Sequence, residues 1–89
     1  MKRFGDERAR EIYNTRFTAS LPQHLTEAAH EAIRLLVASG SLSDVRIVGP
    51  IVRWPKATAR YGLRIEGKWH VTFEWSDDYG ACEIRLERR

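Results

Sequence analysis

Apolar and polar positions alternate with a period of two over three separate stretches in the C-terminal half of the chain. Tyr61, Leu63 and Ile65 alternate with Gly62 and Arg64. Trp69, Val71, Phe73 and Trp75 alternate with His70, Thr72 and Glu74. Cys82, Ile84 and Leu86 alternate with Glu83, Arg85 and Glu87. This pattern predicts three strands, each with one buried face and one polar face. The N-terminal half has a different period. Leu25, Ala28, Ala29, Ala32, Leu35 and Leu36 recur at helical spacing, with Glu27, Glu31 and Arg34 on the opposite side. Ser20-Leu21-Pro22 opens this helix, with Pro22 near the first helical position, where its missing N–H costs nothing. Gly40 closes it. His24 and His30 fall on or beside its polar face and read as solvated. A shorter helix runs from Asp6, a suitable N-cap, to about Asn14, with Ala9, Ile12 and Tyr13 on one side. Phe4, just before it, begins a short edge strand or packs as a staple. Ser41-Leu42-Ser43-Asp44 reads as a turn or a capped half-turn. Val45 to Ala59 reads as irregular because Gly49-Pro50 and Pro55 interrupt it. The expected fold is α+β: two N-terminal helices packed on a three- to four-stranded antiparallel sheet, any fourth strand coming from the N-terminus.

The 89 residues suit one domain spanning 1–89. With 43% hydrophobic and 30% charged residues, the composition is that of a folded chain rather than a disordered one. There is no apolar run of about 18 residues to cross a membrane. The charged start, Met1 to Arg8, has no apolar core of a signal peptide, and a cytoplasmic location is the expectation. The single cysteine, Cys82, excludes an internal disulfide and a thiolate-rich metal site. It is expected on the core side of its strand, buried and inert.

Charge changes the picture more than composition does. Residues 1–44 carry six basic and six acidic side chains, whereas residues 45–89 carry nine and six, which is the whole net charge of +3. Nothing acidic lies between Asp44 and Glu66. That window holds Arg46, Arg53, Lys56, Arg60 and Arg64 together with Trp54 and Tyr61. Cations interleaved with aromatics suit a polyanion whose bases stack, which makes Arg53, Trp54, Lys56 and Arg60 candidate nucleic-acid contacts. A solvated loop beside a slightly basic strand is the plainer reading.

Strand register decides what the polar face presents. A three-residue loop, Glu66-Gly67-Lys68, pairs Ile65 with Trp69, Leu63 with Val71 and Arg64 with His70, and keeps the two faces separate. For the next hairpin, loop Ser76–Tyr79 pairs Phe73 with Cys82, Thr72 with Glu83, Val71 with Ile84 and His70 with Arg85. It is preferred to a longer loop that would set Glu74 against Glu83. The result is a row of Arg64, His70 and Arg85 across an open face. Such a row makes a phosphate cradle with a histidine able to move a proton. The alternative pairs Arg85 with Glu74 or Glu87, and Arg64 with Glu66, as surface salt bridges.

The run Tyr61-Gly62-Leu63-Arg64-Ile65-Glu66-Gly67-Lys68-Trp69-His70-Val71-Thr72-Phe73-Glu74-Trp75 resembles the sheet segment of HigB-like toxins, the plasmid maintenance system killer branch of the RelE/ParE superfamily. Phe4-Gly5-Asp6 resembles the family's opening. Leu21-Pro22 and Ser41-Leu42-Ser43-Asp44-Val45 resemble the entry to and exit from its long helix. The resemblance implies a RelE/ParE-like fold and a toxin of a type II toxin–antitoxin system: a cytoplasmic, metal-independent endoribonuclease that needs no cofactor and cuts messenger RNA on the ribosome. It implies a helix-turn-helix, HigA-like antitoxin as partner, operator DNA contact only through the antitoxin complex, and no membrane association. Arg64 matches the family's strand arginine at the phosphate, His70 stands where an arginine is usual, and Lys56 is the counterpart of its loop lysine. The loop histidine and the closing aspartate-tyrosine-histidine are absent; the chain ends Leu86-Glu87-Arg88-Arg89. The catalytic expectation therefore falls on Arg64, His70, Arg85 and Glu87, with Arg88 and Arg89 neutralising phosphate. A toxin that inhibits a non-RNA target such as gyrase, or a non-catalytic RNA- or protein-binding module, are the alternatives.

Overall fold

The computed structural model describes residues 2–19, 21–55 and 59–89. Helix α1 covers Glu7–Thr15 and starts where the sequence places it. Asp6 Oδ1 accepts from the Ala9 amide at 2.7 Å, and Oδ2 accepts from the Leu86 amide at 3.0 Å. One carboxylate thus caps the helix and fastens it to the last strand. The helix ends at Arg16, which is left-handed (φ 62°) and donates its amide to the Ile12 carbonyl. That conformation suits glycine. Arg16→Gly is expected to raise stability by about 0.5 kcal/mol in urea unfolding, and Arg16→Val to lower it.

Helix α2 spans Gln23–Ala38 with Pro22 at the N-cap, one residue outside the position expected for it. Leu25, Thr26, Ala29, Ala32, Ile33 and Leu36 are buried. Ala28 and Leu35 lie at the margin of this stripe, half-buried. The helix stops at Ser39, whose Oγ donates to the Leu35 carbonyl at 2.8 Å; Gly40 lies one residue beyond. His24 Nε2 sits 2.9 Å from Glu66 Oε1, which ties the start of α2 to the sheet. Among the described residues no helix is long and apolar enough to cross a membrane.

The part of the chain from Ser41 to Arg53 forms regular elements, and this corrects the sequence reading twice. Ser41 caps a third helix, α3, over Leu42–Val48, its side chain accepting from the Asp44 amide. Val45, fully buried, gives this helix its anchor. Gly49-Pro50 ends α3 without preventing a strand, and β1 (Ile51–Arg53) follows at once. With β2 (Arg60–Glu66), β3 (Trp69–Ser76) and β4 (Gly80–Arg88), it makes one sheet in the order β1-β2-β3-β4, antiparallel throughout. The fourth strand is therefore β1. The N-terminal segment contributes only a parallel bridge, Phe4 to Ile84, supported by amide bonds from Glu83 to Lys2 and from Ile84 to Arg3. A three-residue edge flanked by prolines is short enough for breakers to mask its pattern.

The β2–β3 register pairs Leu63 with Val71 and Arg64 with His70, as expected. Beyond that point the strands shift by one residue at Ile65, so Glu66 rather than Ile65 faces Trp69. The turn is the pair Gly67-Lys68, with Gly67 left-handed (φ 55°). The bulge allows a tight turn without reversing the faces.

The β3–β4 register differs more. Ser76 pairs with Gly80, Glu74 with Cys82, Thr72 with Arg85, Val71 with Leu86 and His70 with Glu87. The expected pairs Phe73–Cys82, Thr72–Glu83, Val71–Ile84 and His70–Arg85 do not form. The difference is two residues: one arises at the turn, where Ser76 pairs with Gly80 around Asp77-Asp78-Tyr79, and one at a bulge, where Glu83 adopts φ 49° and adds a residue to β4. The bulge lets Ala81, Ile84 and Leu86 all reach the helices while Arg85 and Glu87 remain on the far side. Cys82 lies opposite Glu74, hence on the far face rather than the core face, yet only 1% of it is exposed. Burial, then the charges of Glu74 and Glu83, push its thiol up, and its Sγ is 3.6 Å from the Glu74 carbonyl oxygen.

The core lies between α1, α2 and the sheet. Phe73, Ile12, Ile33, Leu36, Ile84 and Leu86 are its largest members, with Trp69 and Trp75 packed at its edge.

Candidate nucleic-acid interface

The sheet face away from the helices is not open at its centre. Arg60, His70 and Thr72 are 7%, 6% and 0% exposed. Trp54, at the end of β1, lies over Gly62; a Cβ there would come within 2.7 Å of its ring. Its ring also meets His70 edge-on, with centroids 5.0 Å apart. Gly62→Ala is expected to cost about 1–3 kcal/mol, because the rigid indole must move and cannot do so without disturbing the imidazole. Denaturant unfolding gives the loss, and the His70 ring resonances report the displacement.

Arg60 is the hub of the far face. Its Nη2 donates to Thr72 Oγ1 and to the Glu83 carbonyl, both at 2.8 Å, and Nη1 reaches Glu74 at 3.3 Å. Glu87 Oε2 stands 3.9 Å from Arg60 Nε and accepts a hydrogen bond from Thr72 Oγ1. The Glu83 bulge turns its carbonyl to Arg60, so the register shift and the buried guanidinium belong to one arrangement. Arg60 is therefore turned inward, away from the surface role the sequence suggested for it.

Beside this closed centre, the edge of the face opens into a cleft of about 560 Å³. Arg64, Lys68, Arg89 and His70 line it, with Pro50 and Val52 as its apolar wall and Gly67 at the turn. Strand pairing sets Arg64 next to His70, and Arg64 Nε donates to the Gly67 carbonyl at 2.9 Å. The Lys68 carbonyl accepts twice at 2.9 Å, from the Arg89 amide and from His70 Nδ1. One carbonyl thus fixes the last residue and the imidazole together. Since a carbonyl only accepts, Nδ1 carries the proton, and Nε2 of the neutral ring keeps its lone pair. Three cationic side chains and His70, protonated at Nδ1, line this cleft, and no aspartate or glutamate is among its described lining residues.

The residues singled out from the sequence divide accordingly. Arg64, His70 and Arg89 come together. Arg85 does not join them: it faces Thr72, and its Nε is buried without a partner, close enough to Gly5 that a Cβ there would lie 2.6 Å away. The expected Arg64–His70–Arg85 row is instead Arg64–His70–Glu87. Glu87 pairs with His70 in register, but its carboxylate is held by Thr72 and Arg60 and does not line the cleft. Arg53 is exposed on β1 and lies over the Tyr61 ring at 5.6 Å. Trp54 is half-buried on Gly62, and Arg88 is exposed opposite Trp69. Lys56 lies outside the described residues. Lys68 was missed, because it read only as a loop residue. The signal was present: a lysine following the turn glycine lies beside whatever the paired positions Arg64 and His70 hold. Among the described residues no cluster of histidine, cysteine or carboxylate side chains could hold a metal ion.

No family model matches the chain, and no curated protein matches it.

Proposed function

We propose that this chain is a HigB-like toxin of a type II toxin–antitoxin pair, a metal-independent endoribonuclease that cuts messenger RNA on the ribosome in the cytoplasm. A helix-turn-helix antitoxin neutralises it, and it reaches operator DNA only in that complex. The single observation that carries this reading is the cleft lined together by Arg64, Lys68, Arg89 and His70, whose Nδ1 is held by the Lys68 carbonyl.

The chemistry follows from those groups. The 2′-hydroxyl of one nucleotide attacks the adjacent phosphorus. Its proton passes to His70 Nε2, the bond to the 5′-oxygen breaks, and a 2′,3′-cyclic phosphate and a 5′-hydroxyl result. Negative charge grows on the phosphate oxygens as the new bond forms, and the guanidinium groups of Arg64 and Arg89 meet it. The ammonium of Lys68 supplies the proton to the leaving oxygen. Arginine is never deprotonated in this range, so it serves the charge and not the proton transfer.

The test is controlled induction in a bacterial host followed by mapping of RNA ends. The expected result is growth arrest with codon-aligned breaks in messenger RNA. Arrest with intact transcripts and altered DNA supercoiling would replace this reading with a gyrase-directed toxin. Absence of arrest would replace it with a binding module.

A further inference from the structure

A second depression of about 380 Å³ shares Arg64 and Pro50 with the basic cleft and lies round the sheet edge, on the side that α2 covers. Its walls are apolar: Ala28, Ala32 and Leu35 along one side of α2, facing Leu63 of β2 and Pro50. The positions are helical neighbours whose small side chains leave room above the sheet. One acidic group, Glu31, stands on this lining. Its carboxylate is exposed and held by Arg34, with Oε1 at 2.7 Å from Nη2 and Oε2 at 3.4 Å from Nε. A carboxylate has about four acceptor sites, so two remain free. The Arg34 hydrogen bond holds this carboxyl below its usual range, which keeps it an acceptor.

A cationic cleft that shares Arg64 with an apolar trough bordered by a hydrogen-bond acceptor suits the build of a nucleotide, which joins phosphate and flat base through one ribose. We propose that the trough between α2 and β2 is a nucleobase subsite, seating the base that flanks the phosphate held at Arg64, and that Glu31 makes it prefer guanine. The inference rests on the reading of the cleft as an RNA site. Guanine presents two adjacent donors, N1–H and the N2 amino group, to a carboxylate; adenine, cytosine and uracil each present a single donor group there. An acidic peptide would set its own carboxylates near Glu31, which disfavours it as the occupant.

The test separates binding from cutting. Dinucleotides GpU, ApU, CpU and UpU carrying a 2′-O-methyl group cannot supply the attacking hydroxyl, so their binding is read without cleavage. Titrations of the labelled protein followed by amide NMR are expected to move Ala28, Ala32 and Leu35 along with Arg64 and His70, whereas inorganic phosphate moves only the cleft. GpU is expected to bind about tenfold tighter than the others. Glu31→Gln removes that preference, and Ala28→Phe, filling the half-buried rim of the trough, weakens every dinucleotide while leaving phosphate binding unchanged. Equal affinities for the four dinucleotides, shifts confined to the cleft, or shifts in the trough raised only by an acidic apolar peptide would each overturn the proposal. Guanine-selective binding without RNA breaks in cells would overturn the ribonuclease reading and leave the subsite standing.

Discussion

On the proposed ribonuclease reading, Arg64→Ala is expected to lower cleavage of ribosome-bound message by about 10²–10³-fold and to abolish growth arrest on induction. The size follows from where charge develops. In the ground state the phosphate carries one negative charge; in the transition state more accumulates on its oxygens, and a guanidinium beside it strengthens its hold as the reaction proceeds. Arg64 is pre-aimed by the bond from its Nε to the Gly67 carbonyl, so little reorganisation accompanies the reaction. Arg64→Lys keeps the charge and loses the fork and its anchor to Gly67, and recovers only part of the rate. His70→Ala is expected to have a smaller effect on binding than on the rate constant, since the role proposed for the imidazole is proton transfer. Arg64→Ala should keep the parent's unfolding free energy within about 1 kcal/mol, because Arg64 is exposed, whereas His70→Ala also loses its packing on Trp54. Unchanged cleavage by Arg64→Ala would remove the cleft from the mechanism altogether.

How much of this was legible in the sequence depends on the kind of signal. Long periodic elements were readable: α1 with its Asp6 cap, α2 with its buried stripe, and the face alternation of β2 and β3 all follow from period and capping. The pairing of Arg64 with His70 was readable too, because exchanging the faces would expose Leu63 and Val71. Where a non-local contact decides the local conformation, the sequence is silent. No propensity announces that Glu83 will adopt a positive φ; its carbonyl is drawn there to meet Arg60, more than twenty residues earlier. That bulge, together with a one-residue difference at the Asp77-Asp78-Tyr79 turn, moved Glu87 into the place expected for Arg85. β1 was hidden for a different reason: three residues are too few to show alternation, and the adjacent prolines mimic a loop. The basic window from Arg46 to Arg64 was visible as charge, but charge alone does not tell a buried guanidinium from an exposed one. Arg60 and Arg64 lie four residues apart on one face of β2 and play opposite parts.

Arg60→Ala is expected to destabilise the fold by about 3–5 kcal/mol, the loss typical of removing one partner from a buried ion pair. The side chain is 8% exposed and holds groups from β3 and β4 at once: Thr72, Glu74, the Glu83 carbonyl and the carboxylate of Glu87. Without the guanidinium, two carboxylates lose their counter-charge and the bulge carbonyl loses its donor. In a domain of this size the midpoint of thermal unfolding should fall by about 15–30 °C, and circular dichroism reads it directly. Arg60→Lys keeps a charge but cannot reach Thr72, Glu74 and Glu83 together, so it falls between parent and alanine variant. Adding Glu87→Gln to Arg60→Ala should restore about 1 kcal/mol, because the second change removes a charge that the first left uncompensated; the same Glu87→Gln in the parent only weakens the network. This pattern of couplings is specific to a structural hub. If Arg60→Ala instead unfolds like the parent while losing affinity for RNA, the guanidinium is a surface contact, as the basic window taken alone suggests, and the closed centre of the far face is wrong.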